Sequence, residues 1–232
     1  MAAARVALVT GGTGALGSAI VRRLLADTAV VAAPYVVAEE RARLLASVPD
    51  ALRGRVESEP CDVTDGAAME ALVASLTARH GRVDVLVTAV GGFAGGGLLQ
   101  TDRATWDRML ALNLTSAFVA ARAVVPRMVA AGHGRVVVLG SRAVVPPGPG
   151  VIAYTAAKAG VIAFALALAQ EVKGEGVTVN AVLPSTMDTP ANRAAMPAVD
   201  PRTWVPVEAV ADAIAFLAAE SSGHVSGTLL AI

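Results

Sequence analysis

The run Arg5–Thr10 (RVALVT) is apolar and rich in β-branched residues, and it passes without a linker into the glycine turn Gly11–Gly17 (GGTGALG). The helical pattern SAIVRRLLA follows at once. A continuous apolar run of this length fits a strand buried on both faces, the condition of a parallel sheet covered by helices. Strand, glycine turn and helix in that order also let a backbone approach a phosphate. Glycines remove the Cβ atoms that would hold the ligand off, and the helix N-terminus supplies free N–H groups and positive partial charge. Gly12-x-Gly14-x-x-Gly17 has the spacing of a dinucleotide site; the other reading is a flexible turn without a ligand.

The alternation continues along the chain. Strands are predicted at Val30–Tyr35, Arg55–Cys61, Val83–Val90, Arg135–Leu139, Val177–Leu183 and Gly227–Ile232. Helices are predicted at Glu39–Val48, Gly66–Arg79, Thr101–Ala131, from Tyr154 to about Val172, and at Glu208–Ala219. This pattern predicts an α/β fold: one Rossmann-type domain over residues 1–232, with a doubly wound, mostly parallel seven-stranded sheet and helices on both faces. Pro184–Pro206 is proline-rich and aperiodic. Irregular segments of that length in compact domains are commonly functional, so a lid is expected around residues 185–206.

Composition excludes several classes. Net charge is zero and aromatics are 3% of the chain, so neither a nucleic-acid surface nor an anionic-membrane surface is expected. Runs such as Ala159–Ala169 are too short to span a bilayer, and the first residues lack a signal peptide's apolar region. The single cysteine, Cys61, forbids an internal disulfide and fits a reducing compartment, so a cytoplasmic protein is expected. His80, His133 and His224 lack ligand spacing, and no metal is expected.

Candidate chemistry concentrates in Ser141–Lys158 (SRAVVPPGPGVIAYTAAK). Tyr154 and Lys158 are four residues apart and share a helical face, where an ammonium would draw the phenol's pKa down towards neutrality. A phenol tuned in this way exchanges protons with a reacting oxygen. Ser141 ends the fifth strand, at the sheet edge where such folds bind ligands. Asn113 lies mid-helix and reads either as an exposed polar residue or as a functional one. Asp62 either accepts from an adenine amino group or caps the helix at Gly66–Arg79. The second strand ends in Pro34-Tyr35-Val36, with no carboxylate to bind a ribose 2′-hydroxyl and repel a 2′-phosphate. The apolar helix after Lys158 is either deeply buried or packed on a second subunit.

Taken in order, these residues resemble the short-chain dehydrogenase/reductase family over essentially the whole chain. The family's Thr-Gly-x-x-x-Gly-x-Gly falls on Thr10–Gly17, its Tyr-x-x-x-Lys on Tyr154 and Lys158, its serine on Ser141 and its asparagine on Asn113. Its acidic residue after the third strand falls on Asp62, and its Pro-Gly-x-x-x-Thr on Pro184–Thr189. Departures are Ala15 at the middle signature glycine, Thr88-Ala89-Val90-Gly91 for Asn-Asn-Ala-Gly, and Ser185 after Pro184.

The resemblance implies hydride transfer between a nicotinamide cofactor, NAD(P)(H) with a lean to NADP(H), and a carbonyl/alcohol substrate. Tyr154 is then the general acid/base and Lys158 holds the nicotinamide ribose. Ser141 binds the substrate oxygen, and Asn113 shapes its helix and tethers a proton-relaying water. Cofactor contacts are expected from Gly11, Thr13, Gly14, Ala15, Leu16, Gly17, Tyr35, Asp62, Val63, Ala89, Val90, Gly91, Tyr154, Lys158, Pro184, Ser185, Thr186 and Thr189. Substrate contacts are expected from Phe93, Ser141, Tyr154, Met187 and Met196, with Pro146–Pro149 and Trp204 as further walls. Gly14–Ser18, Gly91–Gly96 and Leu183–Asp200 also look like segments of quinoid dihydropteridine reductases, relatives that work without the serine. A homodimer or homotetramer is expected. The alternatives are a dihydropteridine-reductase-like enzyme and a non-catalytic dinucleotide-binding protein.

Overall fold

The computed structural model describes residues 5–232. Met1–Ala4, and with them the first part of the reading of the amino terminus, lie outside the described residues. Seven strands form one sheet: β1 Val6–Thr10, β2 Val30–Ala32, β3 Val56–Glu57, β4 Val85–Thr88, β5 Gly134–Leu139, β6 Val177–Leu183 and β7 Leu229–Ala231. Their order is β3-β2-β1-β4-β5-β6-β7, and every pairing is parallel. The helices are α1 Ala15–Leu24, α2 Ala38–Ser47, α3 Asp50–Arg53, α4 Gly66–His80, α5 Arg103–Leu110, α6 Ser116–Ala130, α7 Ile152–Glu171, α8 Pro190–Ala195 and α9 Val207–Ala218.

Alternate side chains of each central strand enter separate cores. Leu8, Leu86, Val136 and Val138 pack with α4, α6 and α7, while Ala7, Val9, Val85, Val87 and Val137 pack with α1 and α9. This two-sided burial is why the strands read as unbroken apolar runs. The strand order reverses between β2 and β4 on either side of β1, which opens a crevice at the strands' carboxyl ends. The opposite edge is closed by charge. There buried Asp84 accepts from the Val6 amide at 2.7 Å and from Arg82 Nε at 2.6 Å.

Several expectations change. β2 and β3 are shorter than Val30–Tyr35 and Arg55–Cys61; past their ends only an isolated bridge joins Tyr35 to Pro60. The helix expected over Thr101–Ala131 begins at Arg103 and is broken by a π-helical segment, Ala111–Thr115. Asp62 does not cap α4. Its carboxylate accepts from the Thr64 amide and hydroxyl, while Asp65 caps the helix by accepting from the Ala67 and Ala68 amides.

The run Ala159–Ala169 belongs to a 20-residue helix, and this helix and Arg103–Ala130 are long and apolar enough to cross a membrane by length and composition. Instead, α6 and α7 bury Ala120, Val124, Val161 and Ala165 against the sheet.

Candidate active site

The glycine turn follows from steric need. Gly11 has φ +71° and lies against strand β4, where a Cβ would meet Val90 N at 2.7 Å. At Gly17 a Cβ would strike the Gly11 carbonyl. Together they hold the turn flat against the sheet and aim the start of α1 outward. Gly14 takes the N-cap position with no side-chain cap, so the first amides of α1 stay open to a ligand. Ala15 opens the helix exposed, so the usual glycine is not sterically required there. These features fit a dinucleotide's pyrophosphate.

From this turn a cavity of about 930 Å³ runs along the carboxyl ends of the strands. Leu16, Ala89, Gly91, Pro184, Ser185, Thr186 and Thr189 line it, as do Phe93, Met187 and Met196, so each of these expectations has its place there. Gly11, Thr13, Gly14, Ala15 and Gly17 form the turn itself, outside the cavity wall. Tyr35, Asp62 and Val63 stand at the ends of β2 and β3, with the Cys61 amide donating to Tyr35 O at 2.9 Å. Val63 is turned into the core, and Val90 packs against it. Trp204, within the segment expected to be a lid, is buried and is not among the residues lining the cavity.

The four catalytic candidates converge on the cavity floor, where Asn113, Ser141, Tyr154 and Lys158 all line it. Ser141 comes beside Tyr154 in the cavity wall because the turn after β5 folds back, with its Oγ accepting the Ala143 amide at 3.2 Å. Burial raises the Tyr154 pKa, and the neighbouring Ser141 hydroxyl opposes that rise. The expected lowering by Lys158 is not what this arrangement produces. Lys158 is 6% exposed, and its Nζ donates to the Leu139 carbonyl at 2.7 Å. Burial lowers its pKa from 10.5 to about 8. Phe93 stacks edge-on against Tyr154, with ring centroids 5.1 Å apart.

Asn113 is not an exposed helix polar residue; it is 2% exposed inside the π segment. Its Nδ2 donates to the Met109 and Gly92 carbonyls, both at 3.0 Å, and its Oδ1 accepts the Gly92 amide at 3.3 Å. A side chain that takes the i−4 carbonyl widens the helix locally, and here it also clamps the loop after β4. Gly91 lies between the candidate groups: a Cβ there would stand 3.0 Å from Asn113 Oδ1 and 3.6 Å from Lys158 Nζ. Thr189 uses its hydroxyl to cap α8, accepting the Asn192 amide at 3.2 Å.

Three residues escaped the sequence reading. Asn192 lines the cavity, with its Nδ2 donating to Met187 O at 2.8 Å. Glu40 reaches from α2 to the glycine turn and accepts the Thr13 hydroxyl at 3.2 Å. Arg142 lines the cavity next to Ser141. Only the acid about 20 residues past the glycine turn carried a sequence signal. Among the described residues no cluster of potential metal ligands occurs.

A family model described as short chain dehydrogenase matches residues 5–200. Nodulation protein G of Azospirillum brasilense is 35% identical over 236 aligned residues, covering 98% of this chain and 96% of that protein. The 3-oxoacyl-acyl-carrier-protein reductase FabG of Escherichia coli is 31% identical, covering 97% of this chain and 94% of that protein. Among solved structures, a NAD+-bound xylitol dehydrogenase superposes with a TM-score of 0.88 at 26% identity, over 100% of this chain and 99% of the other. The chain belongs to the short-chain dehydrogenase/reductase family of NAD(P)-dependent oxidoreductases.

Proposed function

We propose that this enzyme reduces ketones, of the 3-oxoacyl type or a related small carbonyl compound, with Tyr154 as the general acid. The observation that carries the reading is the convergence of Ser141, Tyr154, Lys158 and Asn113 on one cavity at the carboxyl ends of the strands. The similar reductase FabG, named for a 3-oxoacyl substrate, supports that substrate class. A bound nicotinamide cofactor supplies the hydride for the carbonyl carbon. Tyr154 gives its phenolic proton to the carbonyl oxygen as the alcohol forms, and a phenol kept protonated by burial is in the right state to do so. Ser141 donates to the same oxygen and stabilises the charge developing there. Lys158, in contact with the Leu139 carbonyl, returns a proton towards the phenol and holds the nicotinamide ribose. Asn113 fixes the π segment and the loop after β4, and would tether a water that relays protons to Lys158. Gly11–Gly17 would cradle the pyrophosphate, while Pro184–Thr189 would hold the carboxamide.

For the 2′ group the reading is NADP(H). No acid ends β2, and the Arg41 guanidinium lies 5.6 Å from the Tyr35 ring centroid, where it can meet a phosphate. A second reading, NAD(H), is favoured by the Glu40 carboxylate on Thr13. The ratio of kcat/KM for NADPH over NADH decides between them, and it should rise in Glu40→Gln and fall in Arg41→Gln.

The described residues support one domain with Ser185–Pro206 as lid, since this segment carries the wall residues Met187 and Met196. Self-association through α6 and α7 is supported by Phe118 (46% exposed) and Leu166 (38%) on their outer faces. A cytoplasmic location fits the single, buried, unpaired Cys61.

The test is NADH and NADPH oxidation with 3-oxoacyl thioesters, simple ketones and quinonoid dihydropterin, with Tyr154→Phe alongside. Ketone turnover lost in the variant is the expected result. Turnover of the dihydropterin alone, surviving in the variant, would transfer the assignment to the pterin reductases. Tight cofactor binding without turnover would indicate a binding protein.

A further inference from the structure

The charged side chains lining the cavity are Arg142 and Lys158, and no carboxylate is among them. Lys158 is buried and directed to a backbone carbonyl. Arg142 differs. Its side chain is exposed, and no hydrogen bond or ion pair to it occurs among the described residues. Elsewhere around the cavity charge is neutralised: Arg193 on α8 is held by both carboxylate oxygens of Asp188, at 2.6 and 2.7 Å.

The backbone of Arg142 is fixed although its side chain is free. Its amide donates to Pro184 O at 3.0 Å and its carbonyl accepts the Val145 amide at 3.0 Å, so the residue is tied between the ends of β5 and β6. The remaining walls combine apolar Phe93, Val145, Met187 and Met196 with uncharged polar residues such as Ser185, Thr186 and Asn192. An unpaired guanidinium on a fixed backbone next to Ser141, lining a cavity without an acid, has the chemistry to bind an oxyanion.

We propose that Arg142 is a specificity residue that binds an anionic group, carboxylate or phosphate, on the carbonyl substrate. The inference rests on the ketone-reductase reading and adds the charge of the substrate to it. The enzyme therefore prefers a ketone carrying an oxyanion to its uncharged counterpart.

Two matched pairs test this: 3-oxobutanoate against its methyl ester, and dihydroxyacetone phosphate against dihydroxyacetone. A hydrogen-bonded charge pair predicts at least about a tenfold advantage in kcat/KM for the anion of a pair. The advantage should fall towards unity in Arg142→Gln, mainly through KM of the anion, and be partly kept in Arg142→Lys. Preference within the first pair identifies a carboxylate site, and within the second a phosphate site. The proposal is overturned if wild type does not discriminate, if discrimination survives Arg142→Gln, or if the variant's loss falls on the cofactor KM. Where no member of either pair turns over, the ketone reading has failed for these substrates. The same compounds are then titrated into the cofactor-bound protein, and anion affinity equal to that of the neutral partner overturns the role of Arg142.

Discussion

Lys158 offers a test that needs no substrate. Its ammonium is buried, with the Leu139 carbonyl as its single hydrogen-bond partner among the described residues, and its pKa falls from 10.5 to about 8. The unfolded chain therefore holds this proton more tightly than the folded one. Below about pH 8 the folded protein carries the full cost of the buried charge. Between about 8 and 10.5 the folded state has lost the proton and the unfolded state still binds it, so stability rises with pH. At about 1.4 kcal/mol per pH unit the gap amounts to about 3 kcal/mol.

Lys158→Met removes the titration while keeping an unbranched side chain. The variant also leaves the Leu139 carbonyl without its donor, so the informative quantity is the change with pH and not the absolute difference. Urea unfolding of the cofactor-free proteins, from about pH 7 to about pH 11, should show wild type gaining about 3 kcal/mol relative to the variant. A difference independent of pH would refute the claim that burial governs this lysine.

Asn113→Ala should destabilise the cofactor-free protein by about 2–4 kcal/mol, because it strips partners from the Gly92 and Met109 backbone. For a domain of this size that lowers Tm by about 5–12 °C in differential scanning calorimetry, and an unchanged Tm would leave the residue only a catalytic part. Gly17→Ala drives a Cβ into the Gly11 carbonyl; it should cost about 1–3 kcal/mol and weaken cofactor binding measured by titration calorimetry. Normal affinity in that variant would contradict the turn's role. Thr10 and Thr88 face each other in register with buried hydroxyls that have no partner among the described residues, Thr88 standing at the first of the family's replaced asparagines. Thr88→Val should thus stabilise the protein by about 1 kcal/mol in urea unfolding, and destabilisation would reveal a missed hydrogen bond.

Much of the architecture was legible in local pattern. Unbroken apolar runs announced strands buried on both faces, and β6 runs over the expected Val177–Leu183. The glycine turn announced a close approach, because residues without a Cβ are needed wherever backbone meets backbone. Helix spacing put Tyr154 and Lys158 on one face and the strand end put Ser141 at the ligand edge, while Asn113 joined them only through the family resemblance.

Other features depended on partners remote in the chain. Asn113 could be read as exposed until the loop after β4 was folded over it. The helix placed Tyr154 and Lys158 on one face, yet Tyr154 responds chiefly to burial and Lys158 is bonded to a carbonyl of β5. Glu40 at the glycine turn and the unpaired Arg142 likewise have meaning only through what surrounds them. Periodicity and steric allowance are properties of neighbouring residues, so the amino-acid sequence alone determined the sheet, the glycine turn and the shared face of Tyr154 and Lys158. Desolvation and ion pairing depend on everything packed nearby, so only the tertiary structure decided protonation, clamping and the sign of the cavity's charge.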